Sequence, residues 1–179
     1  MTAQSEFVPL NLCVLTVSDT RTPDDDSSGD YLALSLGQAG HRLCEKRIVQ
    51  DNRYAIRAIV AQWIADEDVH GVLVSGGTGF TGRDSTPEAI APLLDKQMPG
   101  FGEMFRMLSY DEIGTSTMQS RATAGVANAT YIFALPGSTG ACRDGWDDIL
   151  RHQLDIRFRP CNFAELMPRL NEGKMPRSG

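Results

Sequence analysis

The chain has 179 residues, of which 41% are hydrophobic and 22% charged, and its 23 acidic side chains outnumber 17 basic ones for a net charge of −6. That length suits a single globular domain and the composition excludes a disordered, collagen-like or low-complexity chain. The acidic balance excludes an overall basic footprint for nucleic acid, although backbone amides can bind a phosphate without changing net charge.

Residues 10–18, LNLCVLTVS, make a β-rich apolar run short enough for a buried strand. The acidic, turn-rich stretch TRTPDDDSSGD follows, and Asp19 with residues 24–26 reads as a solvated loop. Apolar spacing resumes over residues 31–39 as a helix that Gly40 closes, and residues 43–49 predict a second strand. Residues 54–66 predict the clearest helix. Ile56, Ile59, Val60, Trp63 and Ile64 share one face, with Asp51 or Asn52 as the cap. Residues 69–75, VHGVLVS, predict a third buried strand that runs straight into glycines. Pro87 opens a helix with Ala89, Ile90, Leu93 and Leu94 inward. Further helices are expected near residues 101–108 and 117–124. Residues 131–135 predict a fourth strand ending at Pro136-Gly137-Ser138, and a helix over about residues 141–152 follows. Strands alternating with helices imply right-handed crossovers and a mainly parallel α/β sheet covered on both faces. One domain spans residues 1–179, with a core at about 9–163 and a partly flexible tail at 164–179 that frays beyond Leu170.

No apolar run is long enough for a membrane-spanning helix, and MTAQSEFVPL has neither a basic nor a long apolar leader segment, so the expected location is cytoplasmic. Cys13 and Cys44 lie in apolar runs and are expected to be small buried residues. The four cysteines form no CxxC pair, and His41, His70 and His152 share no metal-ligand spacing, so each histidine is expected at the surface or at a cap.

Ligands of open parallel sheets bind at the carboxyl ends of the strands. Here those ends carry Ser18-Asp19, Asp51, residues 75–79 and Pro136-Gly137-Ser138. Residues 75–88 read SGGTGFTGRDSTPE. Gly77, Gly79 and Gly82 match G-x-G-x-x-G formally, but the loop follows the third strand and its helix is delayed to about residue 86, so this is not the dinucleotide fingerprint. A P-loop also fails, because Arg83-Asp84 stands where Lys-Ser/Thr belongs. The underlying physics remains: glycines bring amides close to a ligand, Thr78 and Thr81 add hydroxyls, and Arg83 can pair with phosphate. A carboxylate at Asp84 beside such a cradle points to a bridging Mg²⁺. Its alternative reading is a helix cap, where Ser85-x-x-Glu88 matches a capping box. Asp51 reads equally as a cap or a functional group, Gly137-Ser138 as a turn or a second anion cradle, and Arg106 and Arg121 as surface residues or phosphate partners.

GGTGFTGRDSTPEA (76–89), MPGFGEMFRMLSYDEIGTSTMQSRATAGV (98–126) and IFALPGSTGA (132–141) resemble the MoaB/MogA family of molybdenum cofactor biosynthesis, with FGEMFRMLSYDEIGTS and RPCNF favouring the MoaB branch. The resemblance implies a three-layer α/β/α sandwich with a Rossmann-like, molybdopterin-binding fold, assembled as a trimer or hexamer. It also implies a molybdopterin adenylyltransferase that transfers AMP from ATP to the molybdopterin phosphate with Mg²⁺, releases pyrophosphate and hands its product to a MoeA-type insertion protein. The implied alternative is a non-catalytic molybdopterin-binding, delivery or scaffold protein. By motif, Asp51 and Asp84 match the catalytic and metal-holding positions. Gly76, Gly77, Thr78, Gly79, Arg83, Ser120, Arg121, Pro136, Gly137 and Ser138 match the binding pocket.

Overall fold

The computed structural model describes residues 6–172. Six strands form one sheet in the order β2-β1-β3-β6-β5-β4. They are β1 (Asn11–Val17), β2 (Arg42–Val49), β3 (Gly71–Ser75), β4 (Lys96–Gln97), β5 (Thr123–Ala127) and β6 (Thr130–Leu135). β2, β1, β3 and β6 run parallel, while β5 is antiparallel to both β6 and β4.

The parallel strands are apolar throughout because both of their faces are covered. Along β1, Leu12 and Val14 enter one core with Leu32, Leu36, Phe133 and Trp146. Cys13, Leu15 and Val17 enter the other with Ile56, Val60, Trp63 and Ile90. One core lies under α1 (Ser27–Gln38), α4 (Pro99–Ile113) and the segment α5 (Thr139–Asp144), which continues through a π-helical turn (Gly145–Leu150) into α6 (Arg151–Gln153). The other lies under α2 (Arg53–Ala65) and α3 (Thr86–Ile90). The result is the expected three-layer α/β/α sandwich. A short α7 (Phe163–Leu166) and a 3-10 turn (Met167–Arg169) follow, so the part of the expected flexible tail up to residue 172 holds helical turns, while residues 173–179 lie outside the described residues.

Several local expectations are corrected. The stretch 117–124 is not one helix: the end of a 3-10 helix (Gly114–Gln119) covers its first residues and the start of β5 its last. β5 reads TAGVA because its neighbours come close: a Cβ on Gly125 would meet Leu94 Cδ1 at 2.6 Å. Small residues chosen for close approach resemble a helical pattern. The solvated acidic loop is only half right. Asp26 is fully buried and caps α1 by accepting from Gly29 N at 3.0 Å, while its carboxylate also takes the Thr16 hydroxyl and Lys46 Nζ at 2.9 Å. Cys13 is buried, but Cys44 is exposed, because β2 is an edge strand and a bulge beside Leu12/Cys13 shifts its register. His41 is buried rather than superficial. His41 and His70 each accept a main-chain amide at the start of β1, from Leu10 and Asn11 respectively.

Candidate functional site

β1 connects to β2 on one side, and β3 lies on its other side, so the carboxyl ends of β1 and β3 flank the point where the chain reverses its winding. A cleft of about 530 Å³ opens there. It is walled by residues 76–79, by Ser18, Asp19 and Arg21 after β1, by Asp51 after β2 and by Pro136-Gly137-Ser138 after β6. Phe105, Ser109 and Ile113 of α4, with Ser116, Gln119 and Ser120, close the remaining side.

The glycine loop needs its glycines. Gly76 and Gly77 have φ of 100° and 64°, in the left-handed region. A Cβ on Gly77 would collide with Thr86 Oγ1 and would stand 2.6 Å from Asp51 Oδ2. The loop after β6 packs directly on this one, since a Cβ on Gly137 would meet Gly76 Cα at 3.1 Å. Thr86 ties the loop from beneath. Its hydroxyl donates to Gly76 O at 2.8 Å and its amide to Gly77 O at 3.0 Å.

Both carboxylates singled out by motif lie against this loop. Asn52, not Asp51, caps α2, accepting from Tyr54 N at 3.0 Å and Ala55 N at 3.1 Å. Asp51 is thereby released. Its Oδ1 accepts from Ser85 N at 3.1 Å and from the Ser85 hydroxyl at 2.7 Å. That contact uses up the Ser85 hydroxyl, so the capping box read from Ser85 and Glu88 does not form and α3 has no side-chain cap. Asp84 lies beneath Gly79, where an added Cβ would meet its Oδ2 at 2.8 Å. It accepts from Thr81 N at 2.8 Å and the Thr81 hydroxyl at 2.6 Å. Burial pushes the Asp84 carboxyl up, but the bonds from Thr81 and the Gly79 amide, with the Arg121 charge, outweigh it and hold the group below its ordinary range.

The two motif arginines point elsewhere. Arg83 is exposed and pairs with Asp19, outside the cleft lining. Arg121 staples the loop from outside. Its Nε donates to Gly79 O at 2.7 Å and Nη2 to Asp84 O at 3.0 Å, Nη1 pairs with Glu88, and its amide donates to Thr78 O at 3.0 Å. Its guanidinium also covers the Phe80 ring at 5.3 Å. Arg106 likewise faces main-chain carbonyls, those of Ser120 and Ala122. The arginine that does line the cleft is Arg21, held by the Ser27 hydroxyl at 2.9 Å and Asp25 O at 3.1 Å. Sequence reasoning missed it. Its place just after the carboxyl end of β1 was the available signal.

The ionisable lining is therefore Asp19, Asp51 and Asp84 against Arg21. A polyphosphate entering this cleft needs an added cation, and carboxylate oxygens are the hard donors that Mg²⁺ takes. Among the described residues no three His, Cys, Asp or Glu side chains converge as a ligand group. The residues present fit an ion held by one or two carboxylates and completed by phosphate oxygens and water, the usual Mg²⁺ arrangement.

A glycine loop at the switch point of an open parallel sheet is where α/β domains commonly take phosphate-bearing ligands. A family model described as a probable molybdopterin binding domain matches residues 13–156. The chain is 59% identical over 159 residues to molybdenum cofactor biosynthesis protein B of Escherichia coli (strain K12), covering 89% of this chain and 94% of that one. It is 50% identical over 131 residues to the protein of the same name from Bacillus subtilis (strain 168), covering 73% and 77%. A crystal structure of a molybdenum cofactor biosynthesis protein B matches with a TM-score of 0.83 at 39% identity, covering 92% of this chain and 98% of that one. The tungsten cofactor synthesizing protein MoaB from Pyrococcus furiosus matches at 0.70 and 36% identity, covering 79% and 91%. The chain belongs to the molybdopterin-binding domain family of molybdenum cofactor biosynthesis proteins, in its MoaB branch. Among the described residues no helix is long and apolar enough to cross a membrane.

Proposed function

We propose that the protein is a molybdopterin adenylyltransferase, which transfers AMP from ATP to the terminal phosphate of molybdopterin and releases pyrophosphate. The observation that carries this reading is the pair of carboxylates, Asp51 and Asp84, packed against a glycine loop whose amides border an acidic cleft. Asp51 and Asp84 are the groups that would hold Mg²⁺. Bound there, Mg²⁺ supplies positive charge to the triphosphate. The amides of residues 76–79 and of Gly137-Ser138 hold phosphate oxygens, and Arg21 adds the one lining cation. Ser138 is fixed as the cap of α5 by accepting from Ala141 N at 3.1 Å, and Ser120 borders the pocket on the α4 side. Catalysis by positioning and charge neutralisation asks for no general base, since a phosphate monoester is largely ionised near pH 7. The lining contains no His or Cys, in keeping with that chemistry.

Self-association belongs to the same reading. Met104, Met107, Tyr110 and Ile113 of α4, with Met118 beyond it, leave an exposed apolar stripe beside the cleft, which suits a second copy of the chain. We place the protein in the cytoplasm, with a MoeA-type insertion protein as the recipient of its product.

The test mixes purified protein with molybdopterin, ATP and Mg²⁺ and quantifies adenylylated molybdopterin and pyrophosphate. Wild-type protein is expected to give both products, and Asp51→Asn and Asp84→Asn to lose at least about 100-fold in rate, the order expected when a preorganised electrostatic group is removed. Molybdopterin binding without product from the wild type would overturn the enzymatic reading. Sedimentation velocity reads the oligomer on the same samples.

A further inference from the structure

At the amino-terminal end of the strands, opposite the cleft, lies a second cavity of about 280 Å³. His41, one of its lining residues, carries an unanswered donor. His41, between α1 and β2, is 6% exposed and its Nδ1 accepts from Leu10 N at 3.2 Å. In a neutral imidazole the accepting nitrogen carries no proton, so the proton is on Nε2. Burial lowers the His41 pKa, against the pull of Asp155, and keeps the ring in that neutral form. The Nε2–H is buried and has no hydrogen-bond partner among the described residues. Buried donors left in this way are rare, and each marks a place where an acceptor is missing.

The surrounding chain does not supply that acceptor. The carboxylate in the lining, Asp155, is engaged by Arg157 through its amide at 2.9 Å, Nε at 2.9 Å and Nη2 at 2.7 Å. The remaining wall adds donors. Arg151 lines the cavity, and its guanidinium has no hydrogen bond or ion pair among the described residues. Phe7 closes the top, its ring 5.2 Å from the imidazole and 4.9 Å from the Arg157 guanidinium carbon. The charged lining, Arg151, Arg157 and Asp155, therefore has a positive excess in a chain of net charge −6. A cation would meet donors there, whereas an oxyanion would answer both His41 Nε2–H and the free guanidinium.

We propose that this cavity is a binding site for a tetrahedral oxyanion, namely inorganic phosphate or the phosphoryl group of a small metabolite, held by His41 Nε2–H and Arg151. The volume is below the range of ordinary cofactor pockets and admits a phosphate rather than a nucleotide. The site shares no residue with the cleft and rests on no part of the proposed adenylyl transfer.

The test titrates the full chain, labelled with nitrogen-15, with inorganic phosphate and separately with glycerol 3-phosphate, at ionic strength matched with chloride. Saturable shifts are expected at Phe7, His41, Arg151 and Arg157. Tighter saturation by glycerol 3-phosphate would make a phosphoryl metabolite the ligand, and tighter saturation by phosphate would make it the free ion. Arg151→Ala is expected to weaken binding about tenfold, a loss of about 1.4 kcal/mol. His41→Asn, which keeps an acceptor for Leu10 N but loses Nε2–H, is expected to weaken it similarly. Arg151 is on the surface, so its variant reads the site even if the His41 variant is unstable. Shifts confined to residues 76–79 and 137–138, equal shifts with chloride alone, or wild-type affinity in Arg151→Ala would overturn the proposal.

Discussion

Replacing Arg121 with alanine removes three side-chain links at once, to Gly79 O, to Asp84 O and to Glu88, although Arg121 itself does not line the cleft. A hydrogen bond from a charged donor contributes about 1.5–3 kcal/mol. The three share one guanidinium that is 23% exposed, so they do not add, and a total loss of about 3 kcal/mol is the working figure. Truncation also strips Glu88 of its cation, and that carboxylate already has one buried oxygen, Oε2, without a hydrogen bond. For a domain of this size roughly 2–4 °C of Tm accompanies each kcal/mol, so ligand-free Arg121→Ala should melt about 6–12 °C below wild type. Arg121→Lys, with a point charge in place of the planar fork, should recover part of that loss. Scanning calorimetry on the ligand-free protein measures it, and hydrogen exchange at the amides of residues 79–84 shows whether the loop has loosened. An unchanged Tm with weakened nucleotide binding would refute the reasoning. It would make Arg121 a ligand contact, the role its motif position implies, and not the staple that fixes the loop before any ligand arrives.

Other outcomes follow from the same geometry. His41 and His70 both have pKa values lowered by burial, against the opposing pull of Asp155 and Asp68. Their contribution to stability is full above the ordinary value of 6.5 and is lost as pH falls through the lowered folded-state values. The urea midpoint should therefore drop between pH 7.5 and 5.5, and less so in His41→Asn, which keeps an acceptor for Leu10 N that does not titrate. A pH-independent midpoint over that window would sink this account. Gly77→Ala should cost at least about 2 kcal/mol in urea unfolding, because the left-handed φ of 64° alone costs roughly 1–2 kcal/mol and the new Cβ meets Thr86 and Asp51. A cost under about 0.5 kcal/mol would mean the loop is free to rearrange. Asp26→Ala should cost about 3 kcal/mol, since it removes the α1 cap and leaves Lys46, 20% exposed, short of a buried partner. Wild-type stability in that variant would return residue 26 to the solvated loop.

How much of this was legible from residues alone depends on how local the deciding contact is. β1, β3 and β6 announce themselves because burial on both faces forces unbroken apolar runs, and α2 because Ile56, Val60 and Trp63 recur at helical spacing. β5 does not. Its TAGVA is small because Leu94 and Lys96 O crowd Gly125, a constraint invisible until β4 is beside it. Asp26 sits in a run of three aspartates and is buried by Thr16 and Lys46, which arrive from β1 and β2. The cleft divides in the same way. That glycines and aspartates gather at the strand ends follows from the order of elements, so Gly77, Asp51, Asp84 and Gly137 could be named early. The direction of a guanidinium could not. Arg83, Arg121 and Arg21 all stand near that rim in sequence, and each is aimed by whichever acceptor lies within reach: the Asp19 carboxylate, the carbonyls of Gly79 and Asp84, or the Ser27 hydroxyl. Asp51 turns on the smallest margin. Either it or Asn52 could cap α2, and because Asn52 takes the two amides, the carboxylate one residue earlier is left to the glycine loop.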